Sequence, residues 1–224
     1  MAALGPGAAG AAAALAPALQ AEVDRAVSVY EHGDHAAAQA AFESLAARGV
    51  PAAEFDLALM HLRGEVPRPD AARARRLLQR AAAAGFVTAQ LQLAQGLEGG
   101  AFGPRDIPQA QRWYALAAAA GSVEAQVALG TAYYLGRGLP LDPAQAAHWY
   151  RAAALGGDVG AMYLLASMYE HGEGVAADLR LARYWYDQGA QAGDLLAAAK
   201  AHEMVARLAA ADAAGPAPAA TARP

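Results

Sequence analysis

The sequence predicts an all-α protein, a right-handed superhelical α-solenoid built from antiparallel helix pairs. The main observation is a glycine that recurs every 36 residues without a slip, a spacing typical of helical repeat arrays. These glycines are Gly49, Gly85, Gly121, Gly157 and Gly193. A second observation is that other residue types keep the same register, so one pattern of helix starts and ends is repeated along the chain.

Apolar columns of this repeat predict the core. The alanines four residues after each glycine are Ala53, Ala89, Ala125, Ala161 and Ala197, and the leucines eight after it are Leu57, Leu93, Leu129 and Leu165. An aromatic pair lies near the end of three repeats, Trp113-Tyr114, Trp149-Tyr150 and Trp185-Tyr186, and the first repeat carries Leu77-Leu78 in its place. Small alanines permit close helix approach, and we expect the aromatic pairs to fill the space between neighbouring units.

Polar and glycine columns predict where each helix begins and ends. The predicted N-caps of first helices are Ser122, Asp158 and Asp194, and those of second helices are Asp70, Asp106, Asp142 and Asp178. The predicted left-handed glycines that end first helices are Gly64, Gly100, Gly136 and Gly172. Pro143 suits a first helical position. Gln109 and Gln145 follow their aspartates by three residues, the spacing of a capping box.

The unit at residues 125–157, AQVALGTAYYLGRGLPLDPAQAAHWYRAAALGG, resembles a Sel1-like repeat of the tetratricopeptide-like superfamily. The next unit carries the same pattern in Leu165, Tyr169, Gly172, Gly174, Val175, Asp178, Trp185 and Tyr186. Two earlier units depart from it. The departures are Leu97 and Phe102 in one, and His61 and Val66 in the other. The resemblance implies four repeats, at residues 50–85, 86–121, 122–157 and 158–193.

The flanking segments are expected to cap or extend this array. Residues 21–49 resemble a tetratricopeptide-like helix pair, through Tyr30, Gly33-Asp34, Ala38 and Phe42, and residues 194–211 should form a C-terminal capping helix. Residues 212–224 are rich in proline and alanine and predicted to be disordered. The alanine-rich residues 1–20 are either a disordered leader or a signal-peptide remnant, since no basic residue precedes Arg25.

Composition and motifs restrict the classes of function. Seventeen basic against 21 acidic residues, a net charge of −4, do not favour nucleic acid. The chain has no cysteine and no strongly apolar stretch of membrane-spanning length. The compartment stays open between cytoplasm and periplasm, and the alanine content indicates a bacterial protein. The run Arg73, Arg75, Arg76 and Arg80 is interpreted as a solvated helix face, and His32 with His35 as part of a solvated turn rather than a metal pair.

No reactive constellation is found, so we predict no catalytic residue, metal site or cofactor, and a protein that is not an enzyme. The resemblance implies that a protein or peptide binds in the concave groove lined by first helices. The predicted contact residues are Arg63, Gln95, Glu98, Thr131, Tyr134, Tyr163, Ser167, Glu170 and His171. Tyr30 and Glu31 extend this row, whereas Tyr133 and Tyr169 are expected in the core. One alternative is that these residues merely pack a tight concave side; another is a periplasmic binder of a cell-wall fragment or other small ligand.

Overall fold

The structure, a computed structural model, describes residues 16–214, and every regular element in that range is an α-helix. The first helices of the pairs are α1 (Pro17–Glu31), α3 (Pro51–Arg63), α5 (Val87–Gly99), α7 (Val123–Leu135) and α9 (Val159–His171). The second helices are α2 (His35–Ala47), α4 (Ala71–Ala83), α6 (Ile107–Ala119), α8 (Pro143–Leu155) and α10 (Leu179–Gln191). The last helix is α11 (Leu195–Ala214). The predicted all-α repeat fold is confirmed.

The chain divides into two compact units, residues 1–129 and 130–224, with the division inside α7. In the first unit, each helix from α1 to α5 packs against the next one in the chain. In the second unit, α8 packs on α9, α9 on α10, and α10 on α11. This successive packing is the arrangement that defines a repeat solenoid.

Helix ends follow the predicted capping columns. The side chains of Asp70, Asp106, Asp142 and Asp178 accept backbone N–H groups at the starts of the second helices, with donor–acceptor distances of 2.8–3.0 Å. Ser122, Asp158 and Asp194 cap first helices in the same way. The helix-ending glycines Gly64, Gly100, Gly136 and Gly172 have φ between 67° and 85°, so the predicted left-handed ends are confirmed.

The reciprocal arm of the predicted capping box is absent. The backbone N–H groups of Asp106 and Asp142 donate to the carbonyls of Leu97 and Tyr133, at 3.0 and 2.9 Å. The side-chain oxygen of Gln109 accepts a hydrogen bond from Arg75 at 3.0 Å. A backbone bond across the turn therefore satisfies the group that a capping-box side chain would otherwise reach.

The core is built from the predicted apolar columns. The repeated alanines and leucines are at most 2% exposed, and Tyr114, Tyr150 and Tyr186 are at most 3% exposed. Trp185 is buried as expected, at 8% exposed, but Trp113 and Trp149 are only half-buried. Their position before the buried tyrosine places them nearer the edge of the core.

The basic face of α4 is exposed, with the side chains of Arg73, Arg76 and Arg80 at 41–65%, but it also makes contacts that were not predicted. Gln90 and Gln126 donate to the carbonyls of Ala82 and Ala118, which end the preceding second helices, both at 3.1 Å. In the first repeat this column holds an acceptor, the buried Glu54. Arg80 therefore donates to both Glu54 and the carbonyl of Ala46.

A second arginine of the predicted solvated face also binds a neighbouring helix. Arg73 of α4 pairs with Glu43 of α2 at 2.9 Å. These two arginines therefore join consecutive helix pairs from a helix face that is open to solvent.

Two predicted boundaries move. The N-terminal helix pair begins at Pro17 rather than residue 21, because proline is favoured in the first turn and the carbonyl of Ala16 accepts the N–H of Gln20 at 3.0 Å. Helix α11 continues to Ala214, into the segment predicted to be disordered. The rest of the predicted leader and tail, residues 1–15 and 215–224, lies outside the described residues. Within residues 16–214, no helix combines the length and the apolar character needed to cross a membrane.

Candidate functional site

The first unit carries a group of polar and apolar side chains from α1, α2, α3 and the turn after α3. We call it the N-terminal cluster, and its members are Tyr30, Phe42, Asp56, Leu59, Arg63 and Glu65. The Tyr30 hydroxyl donates to the two carboxylate oxygens of Glu65, at 2.9 and 3.1 Å. Arg63 donates to the Tyr30 oxygen at 2.9 Å. Burial and the Glu65 carboxylate raise the pKa of Tyr30, so its hydroxyl stays protonated and remains a donor.

Asp56 is the least satisfied member of the N-terminal cluster. It is half-buried and lines a small cavity together with Tyr30, Phe42, Leu59 and Arg63. Within residues 16–214, no hydrogen bond or ion pair reaches its carboxylate. Burial raises the pKa of Asp56 to about 7, and the positive charge of Arg63 opposes that rise only in part.

The other two predicted contact residues of the first unit are held by neighbours. Gln95 is half-buried and donates to Glu124 of α7 at 2.6 Å. Glu98 is also half-buried and accepts the hydroxyl of the core residue Tyr114 at 2.8 Å. Glu98 thus provides the hydrogen-bond acceptor for a buried tyrosine, which is a structural role. Within residues 16–214, Gln95 has no such link to the core, and it remains a candidate contact residue.

In the second unit, Tyr134 and His171 are exposed, with Tyr134 at 37%. The Tyr134 hydroxyl donates to Glu173 at 2.9 Å, and this carboxylate raises the pKa of Tyr134. His171 and Ser167 lie one turn apart on α9, and the ring Nδ1 is 2.9 Å from the Ser167 carbonyl. Tyr134 and His171 are therefore accessible to a partner, whereas Ser167 is half-buried and its side chain hydrogen-bonds the buried Tyr186.

The bond between Tyr134 and Glu173 repeats the arrangement of Tyr30 and Glu65. In each case a tyrosine of one first helix donates to a glutamate in the turn that follows the next first helix. Both tyrosines are thereby fixed in position while their rings stay at least partly open to solvent.

Three predicted contact residues serve packing instead. Glu170 is 8% exposed and accepts hydrogen bonds from Tyr186 at 2.9 Å and from Arg207. Tyr163 packs edge-on against Tyr186, with ring centroids 5.3 Å apart.

Thr131 has the matching role one repeat earlier. Its hydroxyl is 3.1 Å from that of the buried Tyr150. A buried tyrosine hydroxyl needs a polar partner, and these first-helix positions supply it. We therefore remove Glu170, Tyr163 and Thr131 from the candidate contacts.

The expected core tyrosines also differ from each other. Tyr169 is 8% exposed, whereas Tyr133 is only half-buried, which corrects the prediction for Tyr133.

Sequence reasoning missed Asp56, Glu65 and Glu173. A signal existed for the two glutamates, because they share one repeat column directly after the helix-ending glycine. Asp56 gave a weaker signal, an acidic residue in a column where later repeats carry Gln92, Ala128 and Leu164. Only the packing of α1 and α2 against α3 shows that its carboxylate faces a cavity.

The Sel1 repeat family model matches residues 51–86, 87–122, 123–158 and 159–194, each start one residue later than the predicted repeat. Since these matches cover more than half of the chain, the protein belongs to the Sel1 repeat family. Comparison with curated proteins gives no match.

Two solved bacterial structures are similar to the chain. One is a Sel1 repeat protein from Oxalobacter formigenes, with 31% identity and a TM-score of 0.68 over 75% of this chain and 49% of that chain. The other is a protective antigen of uropathogenic Escherichia coli with an SLR fold, with 30% identity and a TM-score of 0.66 over 71% of this chain and 34% of that chain. The chain thus spans about half and about a third of these relatives. Sel1 repeats generally mediate protein–protein interaction and are typically non-enzymatic.

Proposed function

We propose that the protein is a non-catalytic scaffold that binds a protein or peptide on the exposed faces of its first helices. The observation that carries this proposal is the repeated pair of tyrosine and glutamate, Tyr30 with Glu65 and Tyr134 with Glu173. Side chains that are already fixed lose little conformational entropy when a partner binds. Tyrosine and arginine are also enriched at protein interfaces, which supports a role for Arg63 beside Tyr30.

Affinity capture with matched variants tests this proposal in each unit separately. In the first unit, Arg63→Ala is compared with Arg76→Ala, which removes an exposed arginine from the second helix α4. In the second unit, Tyr134→Ala is compared with Tyr184→Ala, which removes a tyrosine that is 51% exposed on α10. The wild type and all four variants are used as bait, and the captured proteins are quantified by mass spectrometry.

We expect at least one first-helix variant to lose most of a protein captured by the wild type, while its second-helix control retains it. Melting temperatures should differ by only a few degrees among the variants, because all four side chains are exposed. If the controls lose the captured protein and the first-helix variants retain it, the binding face has been assigned to the wrong helices.

A further inference from the structure

The cavity beside Asp56 combines an unsatisfied acid with aromatic and aliphatic walls. Tyr30 and Phe42 contribute aromatic rings, Leu59 contributes an aliphatic side chain, and the Asp56 carboxylate supplies an acceptor. A half-buried carboxylate without a hydrogen-bond partner is costly to the folded protein, so a ligand that donates to it gains that interaction. The cavity therefore favours a donor group, and a charged donor most of all.

The size of the cavity restricts the donor. Its interior has room for about one water-sized group. An ammonium group meets this limit, whereas the planar guanidinium of arginine is larger and presents its donors in a wide fork. The methylene chain that leads to the ammonium group would lie outside the cavity, where the half-buried Tyr30 and Leu59 present apolar surface.

The charges of the N-terminal cluster match a single cation. Asp56 and Glu65 contribute two negative charges, and Arg63 contributes one positive charge. Arg63 is already bound to the Tyr30 oxygen, and Tyr30 in turn donates to Glu65. On α2, the ring of His35 makes an edge contact with the ring of Tyr30, with the two ring centroids 5.2 Å apart. One added ammonium group would balance the remaining negative charge.

We propose that this cavity binds the ε-ammonium group of a lysine side chain of the partner, with the ammonium on the Asp56 carboxylate and the methylene chain outside the cavity, against the half-buried side chains of Leu59 and Tyr30. This inference rests on the proposed scaffold function and assigns the chemistry of one contact within it. The proposed lysine supplies the hydrogen-bond donor that Asp56 lacks within residues 16–214.

The proposal implies a distinctive dependence on pH. Only the ionised carboxylate attracts a cation, and the pKa of Asp56 is about 7. An alkylammonium ion stays charged up to about pH 10. Its binding should therefore weaken about tenfold between pH 8 and pH 6, as the ionised fraction of Asp56 falls from about nine-tenths to about one-tenth.

The direct test titrates n-butylammonium into the full chain at pH 8 and follows the methyl resonances of Leu59 by NMR. 1-Butanol and n-butylguanidinium serve as neutral and oversized probes. Asp56→Asn removes the charge from the cavity, and Asp24→Asn removes one exposed carboxylate from α1 as a matched control. Thermal melts of both variants establish that they fold.

We expect n-butylammonium to bind with a Kd of roughly 1 mM, at least tenfold more tightly than either of the other probes. Asp56→Asn should weaken binding by at least tenfold, and Asp24→Asn by less than twofold. Absence of saturable binding by n-butylammonium, or equal binding by folded Asp56→Asn, would overturn the inference.

A second set of probes separates the two sources of a primary amine. Acetyl-Gly-Lys-Gly-amide carries only an ε-amine, Gly-Ala-Gly-amide carries only an α-amine, and acetyl-Gly-norleucine-Gly-amide carries neither. Binding of the lysine peptide alone supports the proposal, whereas preference for the free α-amine overturns the lysine assignment.

Failure of this inference can be distinguished from failure of the proposed function. If no amine binds but capture still depends on Arg63 or Tyr134, the lysine assignment is wrong and the scaffold function stands.

Discussion

Replacing Asp56 with asparagine should stabilise the protein at neutral and alkaline pH. The pKa of the folded Asp56 carboxyl is about 7, above its ordinary value of 3.8. Between these two values the folded chain binds a proton that the unfolded chain has released, so the stability of the wild type falls as the pH rises. Asparagine does not titrate, and its contribution stays constant over this range.

The size of the effect follows from the difference between the two pKa values. Three pKa units at about 1.4 kcal/mol each give an upper limit of about 4 kcal/mol. The cavity is partly open to solvent, which screens the charge, and we therefore expect about 2 kcal/mol.

Urea denaturation at pH 4.0, 5.5, 7.0 and 8.5 measures this effect. The free energy of unfolding of Asp56→Asn relative to wild type should increase by about 2 kcal/mol from pH 4.0 to 8.5, with most of the increase below pH 7. Asp24→Asn should show less than a quarter of this increase, because Asp24 is exposed. A difference that is flat with pH, or that decreases, would refute the assignment of Asp56 as a half-buried carboxyl without a partner.

Three further predictions concern stability and are checked by chemical denaturation. Gly174→Ala should lower the free energy of unfolding by about 2–5 kcal/mol, because φ is +69° and the added Cβ would lie 2.2 Å from the carbonyl of Pro143. A loss of less than about 1 kcal/mol would contradict this close approach. Asp142→Ala removes a helix cap and should cost about 0.5–2 kcal/mol while the folded variant still captures its partner. Tyr169→Ala should cost about 3–5 kcal/mol and Tyr134→Ala less than about 1 kcal/mol, because they are 8% and 37% exposed; equal costs would mean that Tyr134 belongs to the core.

The repeat pattern predicted the helices well because their ends depend on local chemistry. An aspartate such as Asp178 caps a helix through a backbone N–H only two or three residues away, and a glycine such as Gly172 ends one through its own φ angle. Such interactions lie within a few residues and recur at every period, so a single sequence is enough to place them.

The contact residues were harder to predict because their partners do not follow the repeat. Glu170 occupies a first-helix position, yet Lys200 and Arg207 of α11 enclose it. In the repeat columns of these two cations, α9 carries Leu164 and His171, so the preceding repeat does not predict the contact. Arg80 is exposed, but its ion pair with the buried Glu54 was not predicted, because later repeats carry glutamine or methionine in the column of Glu54. Each error arose where one repeat replaces the residue that the others share.

His61 shows the same effect within the core. It occupies the column of Tyr133 and Tyr169, and its Nδ1 accepts the N–H of Asp70 at 3.3 Å, where the later repeats use a backbone carbonyl. Burial lowers the pKa of His61, so the neutral ring that this bond requires is favoured. The period predicts a core position here, but not the change of hydrogen-bond acceptor.

Photo-crosslinking tests the central claim, that first helices carry the partner-binding face, most directly. A photoreactive amino acid is placed at Gln95 or Ser167 on first helices, and at Arg112 or His148 on second helices, in the full chain. We expect at least one first-helix position to crosslink a defined protein and neither second-helix position to do so. Crosslinking of the same protein from Arg112 or His148, with none from Gln95 or Ser167, would contradict it.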